Sequence, residues 1–121
     1  MIEQELQPLV AQIAVLGDRV YPSGEAPQKP VTPYIVYFLV DDNEDFTHDG
    51  PTGLVTARFQ FSIYADTALS AKTIAKELKT LLNDYKSASI QGAFYDSQSD
   101  QYEQATRLHH VPVDFMITYE E

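Results

Sequence analysis

"LVTARFQFSIYADTALSAKTIAKELKTLLNDY", residues 54–85, changes its apolar period partway along. Up to Ala65 the period is two: Ala57, Phe59, Phe61 and Ile63 point one way, and Arg58, Gln60 and Ser62 the other. Successive side chains leave a strand on opposite faces, so this alternation predicts a half-buried strand. Beyond Thr67 the spacing becomes three and four. Ala71, Ile74, Leu78, Leu81, Leu82 and Tyr85 then form one helical stripe, with Lys72, Lys76 and Lys79 mostly outward. Asp66 or Thr67 can cap that helix, because a short side-chain oxygen satisfies an orphan N–H of the first turn.

Upstream, "YIVYFLV" (34–40) is aromatic and β-branched on both faces, which predicts a central strand. The intervening "DDNEDFTHDGPTG" (41–53) reads as an acidic loop ending in turn residues, so strand, loop and strand predict an antiparallel pair with a projecting hairpin tip. Before them, Ile2, Leu6, Leu9, Ile13 and Leu16 repeat at helical spacing, and Glu3 and Glu5 suit the positive end of a helix dipole. Pro8 interrupts this pattern, and two short helices, the second with Pro8 in its first turn, would accommodate it. Gly17 fits a left-handed stop. Pro22, Pro27, Pro30 and Pro33 mark an exposed connection.

Downstream, "IQGAFY" (90–95) reads as a strand and "DSQSDQ" as a turn. In "RLHHVPVDFMITY" (107–119), Val111, Val113, Phe115, Ile117 and Tyr119 alternate inward against Asp114, Met116 and Thr118. Pro112 shares the outward parity and lacks an N–H, which predicts an edge position or a bulge. The expectation is a single α+β domain over residues 1–121. It has a four-stranded, mainly antiparallel sheet with two helices packed on one face, in the order α-β-β-α-β-β.

Composition narrows the function. With 121 residues, 44% of them hydrophobic, the chain can bury a core as one domain. It contains no cysteine, which excludes disulfides, thiolate metal sites and a cysteine nucleophile. The apolar run 34–40 is far short of a membrane span, and the acidic N-terminus does not resemble a secretory signal, so a soluble protein made in a cytoplasm is expected. A formal charge of −10 repels phosphates and anionic lipid, so neither general nucleic-acid binding nor membrane binding is expected.

Catalytic and metal motifs fare poorly. Asp41, Asn43 and Asp45 match the start of a calcium loop, but Phe46 stands where the turn glycine belongs and Thr52 where the bidentate glutamate belongs. His48, Asp49, His109 and His110 could ligate a metal, yet neighbouring histidines on a strand face opposite ways. There is no nucleophile elbow and no phosphate-cradling glycine loop. No catalytic residue, metal site or cofactor is expected, and the chain does not read as an enzyme. The eight tyrosines suit either the rim of a small core or an interface. One reading is therefore a soluble, non-enzymatic protein-binding or regulatory module with a tyrosine-rich surface.

Several segments in order carry a family likeness: "GDRVYP" after a first helix, "PYIVY" after a proline-rich gap, "ARFQFSIYA" running into "AKTIAKELKTLL", and a closing "VPVDFMITY". Gly17, Arg19, Val20, Tyr21 and Pro22 hold the first motif, and Pro33, Tyr34, Ile35 and Val36 the second. Tyr64 with Ala65, and Asp114 with Phe115, hold the others. Together they resemble the tail-completion, or head-to-tail joining, proteins of long-tailed bacteriophages and prophages, over nearly the whole chain. The resemblance implies a structural virion assembly protein similar in role to tail terminators. Such a protein is made in the bacterial host cytoplasm and sits at the head–tail junction. It forms a ring of copies of itself, six in the implied assembly, on the finished tail tube. Its partners are the tail tube protein and the head connector protein, and DNA passes through without specific binding.

A ring subunit touches neighbours on several sides, which gives the stiff segment Val20–Pro33 a purpose as an arm docked on an adjacent copy. Deleting Ser23 to Lys29 is then expected to weaken a ring. Arg19, Tyr21, Pro22, Pro27 and Pro30 are candidate interface residues on that arm. Glu44, Asp45, Phe46 and Asp49 are candidates at the acidic tip, facing a lumen or a docking rim.

Overall fold

The computed structural model describes residues 2–47 and 50–120, of which 43–47 and 50–52 by backbone alone. The strand expected over 54–65 is the centre of the sheet. It is β3, Gly50–Ala65, flanked by β2 (Tyr34–Thr47) and β6 (Leu108–Glu120), both antiparallel to it. Outside β2 lies β1 (Val20–Pro22), and outside β6 lie β4 (Ile90–Gln98) and β5 (Gln101–Glu103). Two helices complete the chain, α1 (Glu3–Val10) and α2 (Ala68–Leu82), with a 3-10 turn at Ala14–Leu16.

This corrects the expected architecture. The sheet has six strands in the order β1-β2-β3-β6-β4, with β5 also on β6, and it is mixed rather than four-stranded and antiparallel. The chain order is α1-β1-β2-β3-α2-β4-β5-β6, not α-β-β-α-β-β. The two extra strands have three residues each, too short to show a period. One of them, "VYP", hides among the prolines. Its pairing is parallel: Val20 stands beside Ile35 and Pro22 beside Tyr37, with Ile35 N–H donating to the Arg19 carbonyl at 3.0 Å.

That pairing accounts for the long connection from 23 to 33. Parallel neighbours need a crossover, because the chain must travel back along the strand before it can run the same way again. Deleting Ser23 to Lys29 would therefore cut the crossover itself, so the arm cannot be tested that way.

The acidic segment is also more regular than expected. β2 continues to Thr47 and β3 begins at Gly50, with Glu44 paired to Val55 and Thr47 to Gly50. β6 reaches only as far as the Leu54–Glu120 pair, so beyond it the hairpin is a two-stranded ribbon. β4 likewise runs on to Gln98, through half of the expected turn.

The core forms on one side of this sheet. Ala57, Phe59, Phe61 and Ile63 of β3 and Val113, Phe115 and Ile117 of β6 are fully buried, each set on a single strand parity. Leu6, Val10 and Leu16 from the N-terminal segment join the same cluster, with Ile74, Leu78 and Leu82 from α2. Each of the valine, leucine, isoleucine and phenylalanine side chains among them contributes roughly 1.5–3 kcal/mol relative to exposure.

Thr67 caps α2, its hydroxyl accepting from Ser70 N–H at 3.1 Å. Pro8 lies inside α1, and the helix breaks after Val10 rather than before the proline; Gly17 then takes the left-handed conformation at φ 52°. Gln7 ties this helix to the sheet, donating to the Val20 carbonyl at 3.0 Å and accepting from the Tyr37 hydroxyl at 2.9 Å.

Pro112 is buried and lies within an interior strand, opposite Ser62 of β3. Its carbonyl accepts from Ser99 N–H at 3.3 Å, so its backbone faces the break between β4 and β5. The missing N–H thus falls where the outer neighbour turns, which is how a central strand accommodates a proline.

Candidate functional site

The sheet face turned away from the core carries the residues of opposite parity. A row of rings crosses it. Tyr34 of β2 stacks on Tyr64 of β3 with centroids 4.9 Å apart, and Tyr64 stacks on His110 of β6 at 4.4 Å. Tyr21 of β1 leans on Tyr34 at 6.3 Å. The register dictates this row, since Tyr34 pairs with Tyr64 and Tyr64 with His110. Burial first, and the Glu103 carboxylate second, push the Tyr34 and Tyr64 hydroxyls above the usual tyrosine range. Burial pushes His110 below the usual histidine value, against the pull of Glu103. Its buried Nε2 has no hydrogen-bond partner among the described residues.

Two rows along, the same face carries a charged cluster. Arg58 Nη1 meets Asp96 at 2.5 Å and Asp114 at 3.3 Å, while Gln60 donates to Asp114 at 3.0 Å. The carboxylates and the cation satisfy one another, and the hydrogen bond to Asp96 chiefly holds Arg58 above the usual arginine range. This is a bracing network across β3, β4 and β6.

At the outer edge of β2 the surface becomes apolar. Phe38, Leu39 and Val40 are consecutive and exposed at 37%, 41% and 44%. β1 stops opposite Tyr37, and the register of β2 shifts between Leu39 and Asp41, which turns both parities toward solvent. A recess of about 330 Å³ adjoins them, bordered by Glu3, Pro22, Glu25 and Tyr37.

The candidate interface residues separate into groups. Arg19 faces its own chain: its guanidinium donates to the Pro33 carbonyl at 3.0 Å and the Val15 carbonyl at 3.1 Å, pinning the crossover. Tyr21 is half-buried in the ring row, and Pro22 closes β1 beside the recess. Pro27 is exposed and Pro30 half-buried on the crossover. Glu44 lies in β2 opposite Val55, where β6 still flanks the pair, and Asp45 and Phe46 lie in the β2 arm of the ribbon; only the backbone of the three is described. Asp49 lies outside the described residues, as does His48.

His109 and His110 alternate across β6, the first against Tyr102 and the second on Tyr64. Among the described residues no group of three or more acidic or histidine side chains is placed to hold a metal. No helix there is long and apolar enough to cross a membrane.

The tyrosines mostly serve the interior. Tyr34, Tyr37 and Tyr119 are buried and Tyr21, Tyr64 and Tyr85 half-buried, leaving Tyr95 and Tyr102 exposed. Reading residues one at a time missed the ring row and the Arg58 network. Both follow from aligning parities across strands, a signal available only once the register is known.

Three comparisons bear on identity. The chain matches the family described as tail completion protein gp17 over residues 3–120. A solved structure described as "Virion of native gene transfer agent (GTA) particle" contains a chain of the same fold. Its TM-score is 0.73 at 18% identity, covering 99% of this chain and 92% of that one. No curated protein sequence matches. The chain belongs to the tail completion protein gp17 family, which assigns it a structural role in a phage tail.

Proposed function

We propose that this member of the tail completion gp17 family finishes the tail tube and joins it to the head connector as a ring of identical subunits, six in number. It does so as a component of the virion, by shape and without bond chemistry or a cofactor. The observation that carries this reading is the family match across residues 3–120. The apolar edge at Phe38–Val40 supports it, since an assembling subunit needs surface that is covered only in the assembly. So does the charge: with 18 acidic and 8 basic residues, such a ring lets DNA slide through without capture.

Deletion of the gene tests this directly. The expected result is filled heads and separate tails in electron micrographs, restored to joined particles by the protein supplied in trans. Normal particles in its absence would exclude the reading. The lumen role of the acidic tip is tested apart, by replacing Glu44, Asp45 and Asp49 with serine. Unchanged joining and DNA delivery would make the tip merely solvated.

A further inference from the structure

We infer that the apolar end of the β2 edge in one copy seats in the groove between the N-terminal segment and α2 of a second copy, a head-to-tail contact. The inference rests on the ring reading and names the two surfaces that would build it.

The groove has a volume of about 710 Å³ and is bordered by Ile13, Thr73, Lys76, Glu77, Thr80 and Leu81. The apolar edge supplies Phe38, Leu39 and Val40, followed at once by the exposed acids Asp41 and Asp42. Three consecutive exposed apolar residues beside an unpaired strand edge are a liability unless something covers them.

Charge selects the occupant. Two copies at −10 each repel, so contact between them needs a local reversal of sign. Residues 68–86 hold four of the chain's eight cations, Lys72, Lys76, Lys79 and Lys86, against only Glu77 and Asp84. Lys72 already holds Asp100 at 2.8 Å, and Lys79 lies over the Tyr95 ring at 4.6 Å. Lys76 lines the groove, where an incoming Asp41 or Asp42 would meet it. Glu77 lines the groove as well, so the charge match comes from the net positive stretch 68–86 as a whole, and the apolar match from Ile13 and Leu81. Edge and groove share no residue, so every copy offers each surface once, and such heterologous contacts close into rings when the rotation allows.

The absence of cysteine makes the test clean. One variant carries Val40→Cys and another Thr80→Cys, and a short bis-maleimide is applied to the purified protein and to virions containing it. The inference expects cross-linked pairs only when the two variants are mixed, and a ladder of products from the doubly substituted chain. Oligomers that form without these cross-links would overturn this contact and leave the ring reading standing. Cross-links within either single variant alone, or from position 40 to a different virion protein, would overturn it equally. A monomer in solution with no self-cross-link in virions would overturn the contact, and the ring reading would then stand or fall on the gene deletion. Lys76→Glu should abolish the cross-link and Lys76→Glu with Asp42→Lys should restore it; failure of that rescue counts against the charge match.

Discussion

The imidazole of His110 lies flat on the ring of Tyr64, centroids 4.4 Å apart and planes within 7° of parallel. The stack buries a titratable ring whose Nε2 has no partner among the described residues, and burial holds it neutral below the usual histidine range. The unfolded chain binds a proton near pH 6.5, whereas the folded chain resists it. Stability therefore rises with pH through that window and falls on acidification from about pH 6.5 down to the lowered folded value. His110→Phe keeps a stacked ring and removes the titration. Urea midpoints measured from pH 7 to pH 5 should drop less for the variant than for the parent. Equal drops would mean that His110 titrates as it does in the unfolded chain.

Glu5 works at the acid end. Its carboxylate accepts from Ser87 at 2.6 Å and from Ser89 at 2.5 Å, binding α1 to the loop before β4. The Ser87 bond, then the Ser89 bond, hold its pKa below the usual glutamate range. The stabilisation is complete above the unfolded value near pH 4.5 and is lost as pH falls through the lower folded one. Because the site is largely open to water, Glu5→Gln should cost on the order of 1 kcal/mol at neutral pH. The difference between parent and variant should shrink below pH 4, read from thermal midpoints at several pH values.

Legibility in the sequence followed length and period. The strand at 54–65 and the helix after Thr67 each carry enough residues to show their period, and both lie where their patterns place them. "VYP" and "QYE" carry three residues each, and a three-residue strand has no period to read. The acidic 41–47 looked like a loop because strands seldom hold so many carboxylates. Its pairing with 50–58 is a tertiary preference that composition does not reveal. The apolar run 34–40 reads as central throughout. β1 instead ends opposite Tyr37, and with the register shift that follows Leu39 the last three residues of the run lie in solvent, an edge surface that the sequence does not reveal.

Gly17 and Arg19 are coupled by space as well as by sequence. Gly17 sits at φ 52°, and a Cβ there would come within 2.9 Å of Arg19 Nη1. Gly17→Ala therefore adds left-handed strain of roughly 1–2 kcal/mol and pushes the guanidinium away from the Val15 and Pro33 carbonyls. Loss of those bonds loosens the start of the crossover. The double variant Gly17→Ala with Arg19→Ala should then cost less than the sum of the two single changes, measured by denaturant midpoints. Strict additivity would show that the alanine is accommodated without disturbing Arg19.

The crossover between β1 and β2 separates a folding role from an assembly role. Its ends are tied: Ser23 N–H donates to the Tyr37 carbonyl at 3.0 Å, and Thr32 donates to Asp66 at 2.9 Å. Between them Pro27, Gln28, Lys29 and Val31 are exposed, Val31 at 66%. Replacing residues 26–31 with glycine and serine at the same length keeps the return path and both ties but removes stiffness and apolar contact. The monomer should keep its helix and strand signals by circular dichroism, with a small loss of stability from added freedom in the unfolded chain. If the segment is an arm that docks on a neighbour, the ring should weaken far more than the fold, because a flexible arm loses more entropy on docking. Light scattering against concentration gives the readout. An unchanged assembly curve would leave the crossover with one task, returning the chain so that β1 can lie parallel to β2.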